Sequence, residues 1–195
     1  MEVANRHKAV VFVHNGPLPG DPWPKVPGDI DNARRRNGTL DMQANLSAAM
    51  VTLCMTDILD DYPDAMIHVH NLGGNLPYEV ERMDHRCLLD TPEEELPSVR
   101  FRRSKVFVDC NSFGPHAIEA GVRLYGPDRI ICGTDGTEFG SDRRWNGNFR
   151  VQHFQKAYFA DLHQIVDRAG VRDNDRHCRS ITQAFQRRAV TLEIV

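Results

Sequence analysis

The fold is decided by residues 105–135, where Lys105-Val106-Phe107-Val108-Asp109 is followed by a helical pattern and then by Arg129-Ile130-Ile131-Cys132-Gly133-Thr134-Asp135. Each run is short, apolar and rich in β-branched residues, the signature of a strand buried in a sheet. Between them Ile118, Val122 and Leu124 recur at helical spacing, starting after Gly114-Pro115 and stopping at Gly126-Pro127-Asp128. Strand, helix and strand within about thirty residues form a βαβ unit, which makes the strands parallel.

The same alternation extends towards the N-terminus. Ala9-Val10-Val11-Phe12-Val13 predicts a strand ended by His14, and Ala65-Met66-Ile67-His68-Val69-His70 predicts a second. Between these two, a Pro/Gly loop from Gly16 to about Gly38 leads into a helical pattern carrying Leu46, Met50, Leu53 and Met55 to Leu59. Pro77 opens another helix, with Tyr78, Val80, Met83 and Leu88, before an acidic loop from Asp90 to Pro97. Beyond Asp135 come a polar loop over 136–148 and two amphipathic helices at roughly 150–169 and 177–190. Four continuous apolar strands alternating with helices predict an α/β fold with the sheet covered on both faces. Four βα units are half of a (β/α)₈ barrel. Three readings follow: the chain is incomplete, two chains close the barrel, or the sheet is open.

Composition narrows the function. The 195 residues suit one domain, 41% are hydrophobic, and the net charge of −3 comes without a basic stripe for nucleic acid. No apolar run reaches the roughly 20 residues of a membrane span, and residues 1–8 lack a hydrophobic signal region. Five widely spaced cysteines without a C-x-x-C predict a disulfide-free, cytoplasmic protein.

Chemistry in parallel α/β folds collects where strands end. The four runs end in His14, His70-Asn71, Asp109 and Asp135. Imidazole and carboxylate suit zinc, manganese or iron. His68-Val69-His70 is an H-x-H whose rings share one face of a strand. No Ser/His/Asp setting is present, and Gly73-Gly74 alone is weak as a phosphate cradle.

Taken in order, these segments resemble the amidohydrolase-related family, in its aminocarboxymuconate-semialdehyde decarboxylase-like branch. The resemblance rests on Val11-Phe12-Val13-His14, on Leu72-Gly73-Gly74-Asn75-Leu76-Pro77-Tyr78 with Arg82-Met83-Asp84, and on Val108-Asp109 through to Gly133-Thr134-Asp135. It implies strands five to eight of a (β/α)₈ TIM barrel, with residues 1–195 the C-terminal part of one domain and the N-terminal half absent. Met1 would then lie in the helix before strand five.

The implied activity is metal-dependent hydrolysis or non-oxidative decarboxylation of an aromatic or unsaturated carboxylic acid, in a homodimer. The metal, zinc first with manganese or iron as alternatives, would be held by His14 and Asp135. Asp135 would also handle a proton, and Arg82 would hold a substrate carboxylate in a neighbouring subunit's site. Glu81 stands where the family usually has glycine. Aligned on Gly73-Gly74 and Pro77, the family's acid/base histidine falls on Asn71, with His70 one residue earlier. His70 is therefore the expected acid/base and Asn71 a substrate-side hydrogen-bonding group. The strand-one H-x-H or E-x-H metal pair has no counterpart here, so the chain as it stands is expected to be truncated and inactive. The rival reading is a non-catalytic α/β module that pairs with a separate N-terminal half or binds a small ligand.

Overall fold

The computed structural model describes residues 1–16, 20, 36–110 and 115–131. The expected helices at 150–169 and 177–190, the end of the fourth strand with Asp135, and most of the Pro/Gly loop lie outside the described residues.

A short helix, α1 (Glu2–His7), precedes the first strand, β1 (Val10–Val13). A π-helical turn, Arg36–Asp41, runs directly into α2 (Met42–Met55). Then follow β2 (Met66–Val69), α3 (Leu76–Asp90), α4 (Pro97–Arg103), β3 (Val106–Asp109), α5 (Pro115–Tyr125) and β4 (Ile130–Ile131). Three expected strands and three expected helices stand close to their predicted places. Helix α2 ends at Met55, earlier than the apolar pattern suggests, because Thr56 turns to extended backbone. Helix α4 follows the acidic loop in a stretch where the sequence pattern assigns no helix, and carries Arg102 and Arg103.

The strands form one parallel sheet in the order β1-β2-β3-β4. A doubly wound sheet reverses its order at a switch point. Among the described strands the order does not reverse, as along the wall of a barrel.

Alternation then divides the sheet. Ile67, Val69, Val106, Val108 and Ile130 join one buried core with Leu46 and Met50 of α2, Leu76 and Val80 of α3, Phe101 of α4, and Ile118 and Val122 of α5. The opposite face carries Phe12, His68, Phe107 and Asp109, by the cross-strand register. Phe12 is 49% exposed there, and the Arg129 guanidinium lies 5.2 Å from the Phe107 ring centre. Among the described residues the helix-built core therefore covers one face, not both. The second face bears rings and titratable groups, which continuous apolar runs do not announce.

The turn after β2 is tightly constrained. Asn71, Leu72, Gly73 and Gly74 all have positive φ, from 53° to 82°. Leu72 accepts this conformation although it costs a non-glycine residue roughly 1–2 kcal/mol. Its side chain is fully buried, and Tyr125 Oη donates to its carbonyl at 2.9 Å. Tyr125→Phe is expected to cost about 1–2 kcal/mol by leaving that buried carbonyl unpaired. Urea denaturation measures this, and an unchanged midpoint would show that the bond does not hold the turn.

Candidate functional site

Three of the four strand-end groups come together at the carboxyl edge of the sheet. Strand β2 pairs with β1 residue for residue, Phe12 opposite His68 and Val13 opposite Val69. It pairs with β3 likewise, His68 opposite Phe107 and Val69 opposite Val108. The next step along each strand sets His14, His70 and Asp109 side by side on the face away from the core.

Asp109 is the centre of this group. Its Oδ2 lies 2.8 Å from His68 Nε2 and 3.1 Å from His70 Nδ1, and its Oδ1 accepts the Asn71 backbone N–H at 2.9 Å. The carboxylate is 3% exposed, with the His70 side chain at 6% and that of His68 at 17%. Burial pushes the Asp109 carboxyl up, but hydrogen bonds from both histidines outweigh it and hold the group well below the usual carboxylate range.

Aromatic contacts complete the cluster. The His14 and His70 ring centres are 4.6 Å apart, and the Phe12 ring stands 4.7 Å from that of His68 and 5.7 Å from that of His70. His14 itself is exposed.

His70, then, lies on the same face as His14 by plain alternation, and no bulge is needed to bring it there. Asn71 instead enters the left-handed turn, where its Nδ2 reaches Met42 Sδ at 3.7 Å and its buried Oδ1 has no hydrogen-bond partner among the described residues. Arg82 is exposed on α3, away from this cluster, beside an equally exposed Glu81. Asp135 lies outside the described residues. Gly73-Gly74 is a close approach of backbone to α2: a Cβ on Gly74 would strike Gln43 O and Ser47.

Sequence reasoning noted Asp109 as a strand end but gave it no task, and it set His68 aside. The available signal was two-residue alternation in both strands, which needs the register to be read across.

The described residues do not by themselves make a metal centre. Among them, no group of three or more His, Cys, Asp or Glu is placed to hold an ion. His14 is the single expected ligand in the described region.

No family model and no curated protein matches the chain. Solved structures do. The fold is similar to that of 5-carboxyvanillate decarboxylase from Sphingomonas paucimobilis, with 15% identity, a TM-score of 0.55, and coverage of 96% of this chain and 52% of that one. It is similar to a dihydroxybenzoic acid decarboxylase from Polaromonas sp. JS666, solved with bound manganese and the inhibitor 2-nitroresorcinol, with 18% identity, a TM-score of 0.50, and 85% and 52% coverage. An amidohydrolase II matches with 12% identity, a TM-score of 0.53, and 85% and 54% coverage. At these identities the likeness shows the fold. The neighbours are TIM-barrel enzymes, and the chain spans about half the length of each. Among the described residues no helix is long and apolar enough to cross a membrane.

Proposed function

We propose that residues 1–195 correspond to strands five to eight of an amidohydrolase-related (β/α)₈ barrel, acting on an aromatic or unsaturated carboxylic acid. Non-oxidative decarboxylation is the first reading and hydrolysis the second. One observation carries it: His14, His70 and Asp109 share a face at the carboxyl ends of adjacent parallel strands, in a fold similar to those decarboxylases.

In this reading His14 and Asp135 contribute to a site for a divalent metal, zinc or the manganese held by the Polaromonas neighbour, with the further ligands those the family resemblance assigns to strand one of the barrel. Bound there, the ion would polarise a substrate oxygen. The chain's own residues do the rest. In decarboxylation the bond from ring carbon to carboxylate breaks, CO₂ leaves, and the ring carbon takes a proton. His70, with Asp135, supplies it, imidazole being the usual carrier near neutral pH. Asn71, whose buried Oδ1 lacks a partner among the described residues, and Arg82, whose planar fork pairs with carboxylates, are assigned to the substrate. Because Arg82 is exposed on α3, its role requires a homodimer, and a monomeric mass by light scattering would remove it from the site.

Metal content after purification tests the proposal. Stoichiometric zinc or manganese, lost in a His14→Ala/Asp135→Ala double variant, is the expected result. Metal-free protein would overturn it in favour of a non-catalytic α/β module. Where metal is retained, CO₂ release from 2,6-dihydroxybenzoate separates decarboxylation from hydrolysis. His70→Ala should then lower the rate roughly 10²–10⁴-fold.

A further inference from the structure

The sheet face carries a second imidazole that the proposed proton transfer does not use. His68 and His70 reach the same oxygen, Asp109 Oδ2, but through different ring nitrogens, Nε2 of His68 and Nδ1 of His70. The other carboxylate oxygen is taken by the Asn71 backbone N–H. An ionised carboxylate has no hydrogen to give, so each facing nitrogen must carry one. In a neutral imidazole the lone pair then sits on the opposite nitrogen: Nε2 in His70 and Nδ1 in His68.

We propose that Asp109 is a positioning residue that locks His70 with its hydrogen on Nδ1 and its lone pair on Nε2. The same carboxylate anchors His68 in the opposite tautomer. The lock does not rest on His70 being the acid/base. Burial makes the lock firm, because a ring turned away from Asp109 would leave a buried charge short of a donor.

Nitrogen-15 multiple-bond spectra of the whole chain, histidine-labelled and recorded above the ordinary imidazole range, read the tautomers directly. The expected result is one tautomer for each ring, hydrogen on Nδ1 of His70 and on Nε2 of His68. In Asp109→Asn the side chain offers one accepting oxygen and one donating nitrogen. With its oxygen still accepting the Asn71 N–H, the new amide turns its donating nitrogen to both rings, and both must then reverse their tautomers, a change that loss of packing alone would not produce. Mixed tautomers in the unmodified chain, a ring bearing hydrogens on both nitrogens, or both rings unchanged in Asp109→Asn would each overturn the proposal. If the variant does not fold, the spectrum of the unmodified chain decides. No substrate or metal enters this measurement. Locked tautomers in a chain that retains no divalent metal would therefore sink the proposed function and leave the tautomer lock standing.

Discussion

Asp109→Ala is expected to destabilise the fold by about 3–5 kcal/mol at pH 7, the usual cost of removing one partner from a buried ionic hydrogen-bonded group. For a chain of this size that is a fall in Tm of about 10 °C. The loss strips His68, His70 and the Asn71 N–H of their shared acceptor at once. Its pH dependence has a definite sign. The Asp109 carboxyl is held below its unfolded value, about 3.9 for a free aspartate. Its contribution is therefore fully present above that value and is lost as the pH falls towards the folded one. Urea unfolding at pH 7 and at pH 3 should show the difference between Asp109→Ala and the unmodified chain narrowing at the lower pH. A difference that widens on acidification would contradict the account.

Gly74→Ala is expected to be about as damaging, on the order of 4 kcal/mol, from two sources. Its φ of +82° with ψ of −142° is a conformation that side chains rarely adopt, and such strain costs about 1–3 kcal/mol. The added Cβ would also meet backbone, the Gln43 carbonyl and, at 2.6 Å, the Ser47 amide nitrogen, and overpacking costs a further 1–3 kcal/mol. Gly73→Ala supplies the comparison. Its Cβ would meet Met50 Cγ at 2.7 Å and Tyr125 Oη at 3.0 Å, and a methionine can yield where a peptide cannot. Thermal melts should rank Gly74→Ala well below Gly73→Ala. The reverse order would mean that the turn after β2 is not fixed by its approach to α2.

The reason for that constraint is the Ser47 hydroxyl. It donates to the Gln43 carbonyl at 2.9 Å and accepts the Asn75 N–H at 2.7 Å, tying the start of α3 to α2. This seam holds the His70-Asn71 corner, and with it the Asn71 N–H that Asp109 accepts.

Much of the sheet was legible in the sequence because its strands are β-branched apolar runs, as in Val10 to Val13 and Val106 to Val108. Helix α4 was not. It has seven residues, Pro97 to Arg103, three of them arginine, and only Pro97 and Phe101 buried, so its composition reads as loop. The usable hint was Pro97 in its first turn. The site divides in the same way. His14 and His70 stand at strand ends and could be named one by one. The part played by His68 and Asp109 depends on which residue of β2 lies beside which residue of β3, and that register is set by packing between strands. The choice between His70 and Asn71 turned on it as well: once β2 pairs without a bulge, alternation gives the face to His70.

In the proposed function this sheet face receives the ring of an aromatic carboxylate. Histidine ring spectra recorded as an aromatic carboxylate is added, in the presence of a divalent metal, test it most directly. The account predicts that the ring signals of His14 and His70 move together, while those of His7, His85 and His116, all on helices α1, α3 and α5, stay in place. Movement of the helix histidines with His14 and His70 unchanged would contradict it.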